Sequence, residues 1–404
     1  MTSAIVTGVG VVAPSGTGTE AYWSATLSGK NAIAEISRFD SSSYPVTLAG
    51  EVRDFEAADY IESRLLPQTD TMTRMALAAS DMALADAGVD PTQRNEYEVG
   101  VVSTNCYGGW EFGQREMEHL WANGPRTVSV YESFAWFYAV NTGQISIRHR
   151  MRGHCGVLVS EEAGGLDAIA TARRQVGHGT PLMLTGGMEA PVCPWTLCAQ
   201  ISSGRLSTSR APEDAYRPFD VAAAGHVPAE GGAILVVESA ESAQQRRGSS
   251  SYGEIAGYAA TFDPRPGSDR PPGLRRAAEL ALADAGVSPE DVDVVFADAS
   301  GTPELDRSEG EAIAGLFGPE GVAVTAPKTM TGRMYGGGPS VDVVAALLSL
   351  RDQVIPPTIN VSSLAPGCEL ALVMDQPKEA KVRTALVLAR GYGGFNSALV
   401  LRAA

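Results

Sequence analysis

Positive charge is in short supply in this 404-residue chain: 31 Lys and Arg stand against 47 Asp and Glu, a formal net charge of −16. Such a surface repels phosphate backbones, and no basic stretch offsets it, so no nucleic-acid partner is expected. The nearest candidate, the alternating Arg148, Arg150 and Arg152, reads as a solvated edge closing an apolar segment. The five cysteines, Cys106, Cys155, Cys193, Cys198 and Cys368, form no paired framework, and Cys193 and Cys198 lack the second ligand pair of a zinc site. A disulfide scaffold is thereby excluded, a reducing cytoplasm is indicated, and neither metal nor cofactor is expected. Long apolar runs are missing too. Met1 to Pro14 has no basic lead, and the most apolar helix candidate, Val341 to Leu350, is too short to cross a bilayer. No membrane role follows. Histidine is scarce, with five in all and none after His226.

What is present suits one large body or two fused domains: 44% of the residues are hydrophobic and 19% charged. The string Ala-Leu-Ala-Asp-Ala-Gly-Val occurs twice, at Ala83 to Val89 and at Ala281 to Val287, each followed closely by Pro91 or Pro289. In both copies the glycine fits a helix C-cap, the proline blocks continuation, and a β-branched run follows, Val99 to Thr104 or Val292 to Ala297. A duplicated helix, turn and strand divides the chain into halves at 1–245 and 252–404, with the Ser- and Arg-rich Gln244 to Ser251 as the seam. Further valine- and isoleucine-rich runs include Ala4 to Val12, Val157 to Ser160, Leu182 to Thr185, Ala233 to Glu238 and Thr384 to Leu388. Helical patterns lie between them, which predicts an α/β fold with sheets buried between helix layers.

Gly8, Gly10 and Gly16 superficially suggest a dinucleotide loop, but their spacing is wrong and Pro14 interrupts where the phosphate-binding helix should start. Gly391-Tyr392-Gly393-Gly394-Phe395-Asn396, between two strand-like runs, fits a hairpin or a close backbone approach. The stretch from Gly156 is more pointed. Val-Leu-Val-Ser leads into Glu161-Glu162-Ala163-Gly164-Gly165-Leu166-Asp167 and then a helical run to about Val176, a buried strand turning sharply into a helix. That turn exposes one side chain at a helix N-terminus, where partial positive charge favours an anion.

These features, with Arg217-Pro218-Phe219-Asp220, Glu230-Gly231-Gly232, Pro327-Lys328 and the glycine-rich end, resemble the ketosynthase pattern over essentially the whole chain. Within it, the sequence resembles the chain length factors, the beta subunits of bacterial type II aromatic polyketide synthases. The resemblance implies a thiolase-like fold, two duplicated halves in a layered αβαβα arrangement. It also places Glu162 where a condensing ketosynthase has its cysteine and chain length factors usually have glutamine. The positions of the two family histidines carry Asp298 and Arg333, while Lys328 and Glu309 keep the family identities. Without thiol or imidazole, Glu162, Asp298, Lys328 and Arg333 are expected to form a compensated ion network in place of a condensing site.

By the same resemblance the partners are an active ketosynthase alpha subunit in a heterodimer, an acyl carrier protein and the growing polyketide chain. The subunit is expected to set product length by shaping a tunnel at the heterodimer interface. The gate positions fall on Trp110, Gly113 and Met117, where Trp110 would shorten the product and Gly113 would reopen space. The aromatic cluster Tyr131, Phe134, Trp136, Phe137 and Tyr138 is expected at the dimer face, since interfaces favour such residues. Three alternatives stay open: a condensing enzyme using Cys155 beside His154, a malonyl-thioester decarboxylase, and a scaffold with no tunnel role.

Overall fold

The repeated helix endings fold into the same motif twice. In the computed structural model, which describes residues 3–246, 251–265 and 267–403, helices α1 (Thr71–Ala87) and α4 (Leu274–Ala285) both end on glycines in the left-handed region, Gly88 and Gly286, each with φ of 63°. The N–H of Val89 returns to Leu84 O and that of Val287 to Leu282 O, which satisfies carbonyls that the helix ends would leave unpaired. The remaining long helices are α2 (Trp110–Asn123), α3 (Gly164–Gly177), α5 (Pro303–Phe317) and α6 (Gly338–Asp352).

The N-terminal set of strands is β1 (Ala4–Ala13), β2 (Val99–Thr104), β3 (Cys155–Leu158), β4 (Leu182–Glu189) and β5 (Gly231–Ser239). The C-terminal set is β6 (Gly253–Phe262), β7 (Val294–Phe296), β8 (Ala323–Thr325), β9 (Thr384–Gly391) and β10 (Phe395–Arg402). Outward from β1 the neighbours are β5 and β4, both antiparallel, then β2 and β3, both parallel. Outward from β6 they are β10 and β9, antiparallel, then β7 and β8, parallel. The two arms therefore repeat one topology, and they meet where Ile5 pairs with Glu254 and Val6 with Gly253.

Packing stacks the arms into layers. Met72, Met75 and Leu77 of α1 pack on Val99, Leu184 and Val236 of the first arm. Leu274 and Leu282 of α4 do the same on Val295, Leu388 and Val400 of the second. Between the arms lie α3 and α6, whose Leu166, Ile169, Val343 and Leu347 share one core with Leu235, Val237, Val387 and Leu399. Val341 to Leu350 is thus the central buried helix, and no described helix is long and apolar enough to cross a membrane.

Several local expectations change. Strand β3 starts at Cys155 and ends at Leu158, so Cys155 opens the strand and does not precede it, and Ser160 has already left the sheet to donate to Asp167. His154-Cys155-Gly156 lacks the β-branched residues that would have marked this start. Of the seam Gln244 to Ser251, residues 247–250 lie outside the described residues, and Gln245 closes a short helix, Ala240–Gln245. Arg148 is paired with Asp81 at 2.6 Å and Arg152 with Glu96 at 3.0 Å, so two of the three arginines are matched by carboxylates. Gly391 to Asn396 turns the antiparallel hairpin between β9 and β10.

The early glycines serve packing. A Cβ at Gly8 would overlap the Ala83 carbonyl and lie 2.7 Å from the Cβ of Ala87; at the equivalent Gly257 it would overlap the Ala281 carbonyl and lie 2.7 Å from the Cβ of Ala285. The duplicated helices sit this close to their strands only because both positions lack a side chain. Gly8→Ala and Gly257→Ala should each cost about 1–3 kcal/mol in denaturant unfolding. Gly177→Ala, at a helical position with open space around the new methyl, should be neutral or stabilising by up to about 1 kcal/mol.

Candidate functional site

After β3 the chain passes through Ser160, Glu161 and Glu162 into α3, with Ala163 at the N-cap position. Glu161 holds φ at 53°, a left-handed conformation that costs a non-glycine residue on the order of 1–3 kcal/mol and recurs at functional sites. The Gly-Gly that follows has a steric reason. A Cβ at Gly165 would lie 2.9 Å from Gly336 O and 3.0 Å from the Pro339 Cβ, so this glycine lets α3 start against the start of α6. Asp167 fastens the elbow from below, accepting from Ser160 Oγ at 2.5 Å, from Tyr258 Oη at 2.7 Å and from Ser397 Oγ. The outcome is a carboxylate, Glu162, turned inward and 9% exposed.

Three further segments converge on it. Asp298 follows β7, where Ala299 takes φ of 52° and the Glu309 carboxylate on α5 accepts the N–H groups of Asp298 and Ala299 at 2.7 and 2.8 Å. Burial and the neighbouring Asp298 push Glu309 up to about 7. Lys328 comes from the short turn Pro327–Met330. Arg333 is pinned through its backbone, its N–H donating to Val227 O and its carbonyl accepting from Ala229 N, both at 2.9 Å.

The Arg333 guanidinium is the hub. Its Nε donates to Glu162 Oε1 at 3.3 Å, and Nη2 lies 3.2 Å from Glu162 Oε2. Nη2 also donates to Asp298 Oδ1 at 2.9 Å, and Nη1 reaches Asp298 Oδ2 at 3.3 Å and Asp298 O at 2.7 Å. This planar fork satisfies two carboxylates at once, which a lysine point charge cannot do. Burial alone would raise the Asp298 carboxyl, but Arg333 and Lys328 hold it below the ordinary aspartate value.

The structure brings Glu162, Asp298, Lys328 and Arg333 together, with a different pairing for Lys328. Its Nζ bonds the backbone carbonyl of Asp298 at 3.1 Å, while its ion pair, at 2.7 Å, goes to Asp342 in the second turn of α6. Asp342 is 3% exposed and was not singled out in the sequence. The available signal was a lone charge inside the most apolar helix, which must find a partner when buried. Arg390, 7% exposed, also joins, its N–H donating to Asp298 Oδ1 at 2.9 Å.

Trp110, Gly113 and Met117 lie on α2 at a spacing that shares one face. Trp110 is half-buried and packs edge-to-face on Tyr107 and Trp195, with ring centroids 5.9 and 6.1 Å apart. A Cβ at buried Gly113 would meet only the Trp136 Cβ at 3.5 Å and Glu132 Oε1 at 3.6 Å, so the position has room for a methyl. Met117 is half-buried. Of the aromatic cluster, Trp136, Phe137 and Tyr138 are exposed, whereas Tyr131 and Phe134 are half-buried, Phe134 against the α1 core. Cys155 is exposed at the start of the edge strand, seven residues along the chain from Glu162.

Removing the hub strands two buried carboxylates, whereas neutralising one spoke does not. Arg333→Ala should therefore cost about 3–5 kcal/mol in denaturant melts, and Glu162→Gln, which keeps an acceptor for the guanidinium, should cost clearly less. The reverse order would contradict the hub assignment.

Residues 2–243 match the family model described as beta-ketoacyl synthase, N-terminal domain, and residues 252–362 match beta-ketoacyl synthase, C-terminal domain. The chain is 61% identical to the tetracenomycin polyketide synthase ketoacyl synthase beta subunit of Streptomyces glaucescens, over 98% of each chain. Among solved structures it is similar to the ishigamide ketosynthase/chain length factor, with a TM-score of 0.92 and 28% identity over 100% of this chain and 99% of that one. It is also similar to a type II PKS acyl-carrier protein in complex with its ketosynthase bound to the hexaketide, with a TM-score of 0.87 and 27% identity over 100% of both chains. A thiolase-like α/β body with a carboxylate at its elbow and relatives of this kind lead to one assignment: the chain belongs to the beta-ketoacyl synthase family and, within it, to the ketosynthase beta subunits, or chain length factors, of type II polyketide synthases.

Proposed function

We propose that this subunit does not itself condense acyl units, and that it pairs with an active ketosynthase alpha subunit and sets the length of the polyketide by the shape of the tunnel between them. The observation that carries this reading is Glu162 on the elbow, held by Arg333 at 3.2 Å. A carboxylate there is a poor acceptor of an acyl group from a thioester, and the positions that by resemblance hold the two enolate-stabilising imidazoles carry the carboxylate of Asp298 and the guanidinium of Arg333, bonded to each other at 2.9 Å. Glu162 Oε1 accepts from Arg333 Nε and Oε2 lies 3.2 Å from Nη2, so the side chain is engaged as an ion-pair partner and is not aimed as a donor at a developing oxyanion, which disfavours the decarboxylase alternative.

Support for a heterodimer comes from the face beside the edge strand β3. Exposed Trp136 at 44%, Phe137 at 38% and Tyr138 at 40% stand there with exposed Val159, an aromatic patch that water leaves uncovered and that a large obligate interface would bury. A solved relative is itself a ketosynthase paired with a chain length factor, and another holds an acyl-carrier protein with its ketosynthase. By that likeness the carrier protein delivers extender units to the pair. All five cysteines stand free, in keeping with a cytoplasmic site of action.

For the gate, Trp110 supplies bulk on the face it shares with Gly113 and Met117. Trp110→Ala in the complex reconstituted with its ketosynthase and carrier protein should give products longer by at least one malonyl-derived unit, read by mass spectrometry. Unchanged product length would favour a scaffold without a tunnel role.

A further inference from the structure

The helix that carries Trp110, Gly113 and Met117 does not cap its own N-terminus. Its N-cap residue is Gly109, which offers no side-chain acceptor. Glycine is required there, because a Cβ at Gly109 would overlap the Ala135 carbonyl and lie 2.9 Å from the Cβ of Asp70. The first turn of any helix presents N–H groups that have no partner inside the helix. For α2 the acceptor comes from a distant segment. Asp70, 3% exposed at the N-cap of α1, accepts from Met72 N–H through Oδ1 at 2.8 Å and from Phe112 N–H through Oδ2 at 2.9 Å. One carboxylate thus caps two helices, and it ties the first turn of α2 to the helix that packs on the N-terminal arm of the sheet.

Farther along, α2 has other holds. Gln114 Oε1 accepts from Trp195 N–H at 3.0 Å, and Glu116 Oε2 accepts from Ser129 N–H at 2.7 Å. Neither ties α2 to α1. Trp110 stands at the first helical position, two residues before Phe112, and its indole meets Tyr107 edge-to-face at 5.9 Å. Tyr107, together with Cys106 and Tyr335, lines a cavity of about 260 Å³ beside Glu162. The depth of the indole against this wall therefore depends on where the first turn of α2 is held.

We infer that Asp70 is a positioning residue for the gate: by accepting from Phe112 N–H it holds the first turn of α2 against α1 and so fixes the place of Trp110. It touches no substrate and acts through the helix. Its effect on product length rests on the proposed function, whereas the anchoring of α2 does not.

Asp70→Ser separates the two caps. Serine is a good N-cap and serves Met72 N–H, but its single short-armed oxygen does not bridge to a second helix. In hydrogen–deuterium exchange of the purified chain, the first turn of α2 should exchange about tenfold faster, the equivalent of one lost hydrogen bond to a carboxylate, while α1 stays as protected as before. In the complex reconstituted with its ketosynthase and carrier protein, the same variant should raise the ratio of longer to native-length product by about tenfold, with Trp110→Ala assayed in parallel. Asp70→Asn keeps the shape but has one carbonyl oxygen for two N–H groups, so it should change both readouts in the same direction, and it decides if the serine variant does not fold. Unchanged exchange in the first turn of α2, or faster exchange spread equally over α1, would overturn the anchor. A loosened α2 with unchanged products, while Trp110→Ala lengthens them, would overturn the positioning role and leave the gate intact. Unchanged products from Trp110→Ala would instead contradict the proposed function, and the length effect of Asp70 would fall with it.

Discussion

A single guanidinium, buried between two carboxylates, organises the centre of this molecule. Arg333 binds Asp298 at 2.9 Å and Glu162 at 3.2 Å, and its own backbone is held between Val227 and Ala229. Removed from water, such a group is tolerable only with its donors satisfied and its charge matched. The fork geometry meets both demands, and Lys328 with Asp342 forms a second pair against the same loop. Two cations, Arg333 and Lys328, thus lie among Glu162, Asp298 and Asp342 in a region that water hardly reaches, while Arg390 adds its backbone N–H to Asp298 and turns its guanidinium to Asp263 and the Leu305 carbonyl. What occupies the elbow is therefore a held carboxylate, paired with Arg333.

The duplicated architecture explains how distant segments reach this point. The elbow lies at the start of α3 and Asp342 in the second turn of α6, and those two helices occupy equivalent central places in the two arms. Asp298 leaves the end of β7, and Lys328 follows β8 closely. Left-handed residues mark three of the approaches, Glu161, Ala299 and Tyr335, each beside a group of the network or the cavity. Backbone strain of this kind persists only where surrounding structure over-determines it. Here the fixed points are visible: Asp167 below the elbow and Glu309 below the Asp298 loop.

Much of this was legible in the sequence because the informative signals were local. Two copies of Ala-Leu-Ala-Asp-Ala-Gly-Val announced the repeated helix end, and the Val-Leu-Val-Ser to Ala-Gly-Gly passage announced a strand turning into a helix. Glu162, Asp298, Lys328 and Arg333 were reached through the family pattern, and the fold sets them side by side. Their partners were harder. Asp342 carries no motif, and only tertiary packing puts it 2.7 Å from Lys328. The split of the aromatic cluster was equally hidden, since Phe134 packs inward while Trp136 to Tyr138, in the next few residues, stay exposed. The valine-rich signal begins only at Val157, whereas the strand opens at Cys155, because a sheet edge can start on residues of low β-propensity when its neighbour β2 supplies the register.

The most direct measurement is the intact mass of the purified subunit after incubation with acetyl and malonyl thioesters, with a condensing ketosynthase alpha subunit treated in parallel. The account predicts an acyl adduct on the alpha subunit and an unchanged mass for this chain. A stoichiometric adduct on this chain, whether on Cys106 at the cavity or on Cys155 at the edge strand, would contradict it.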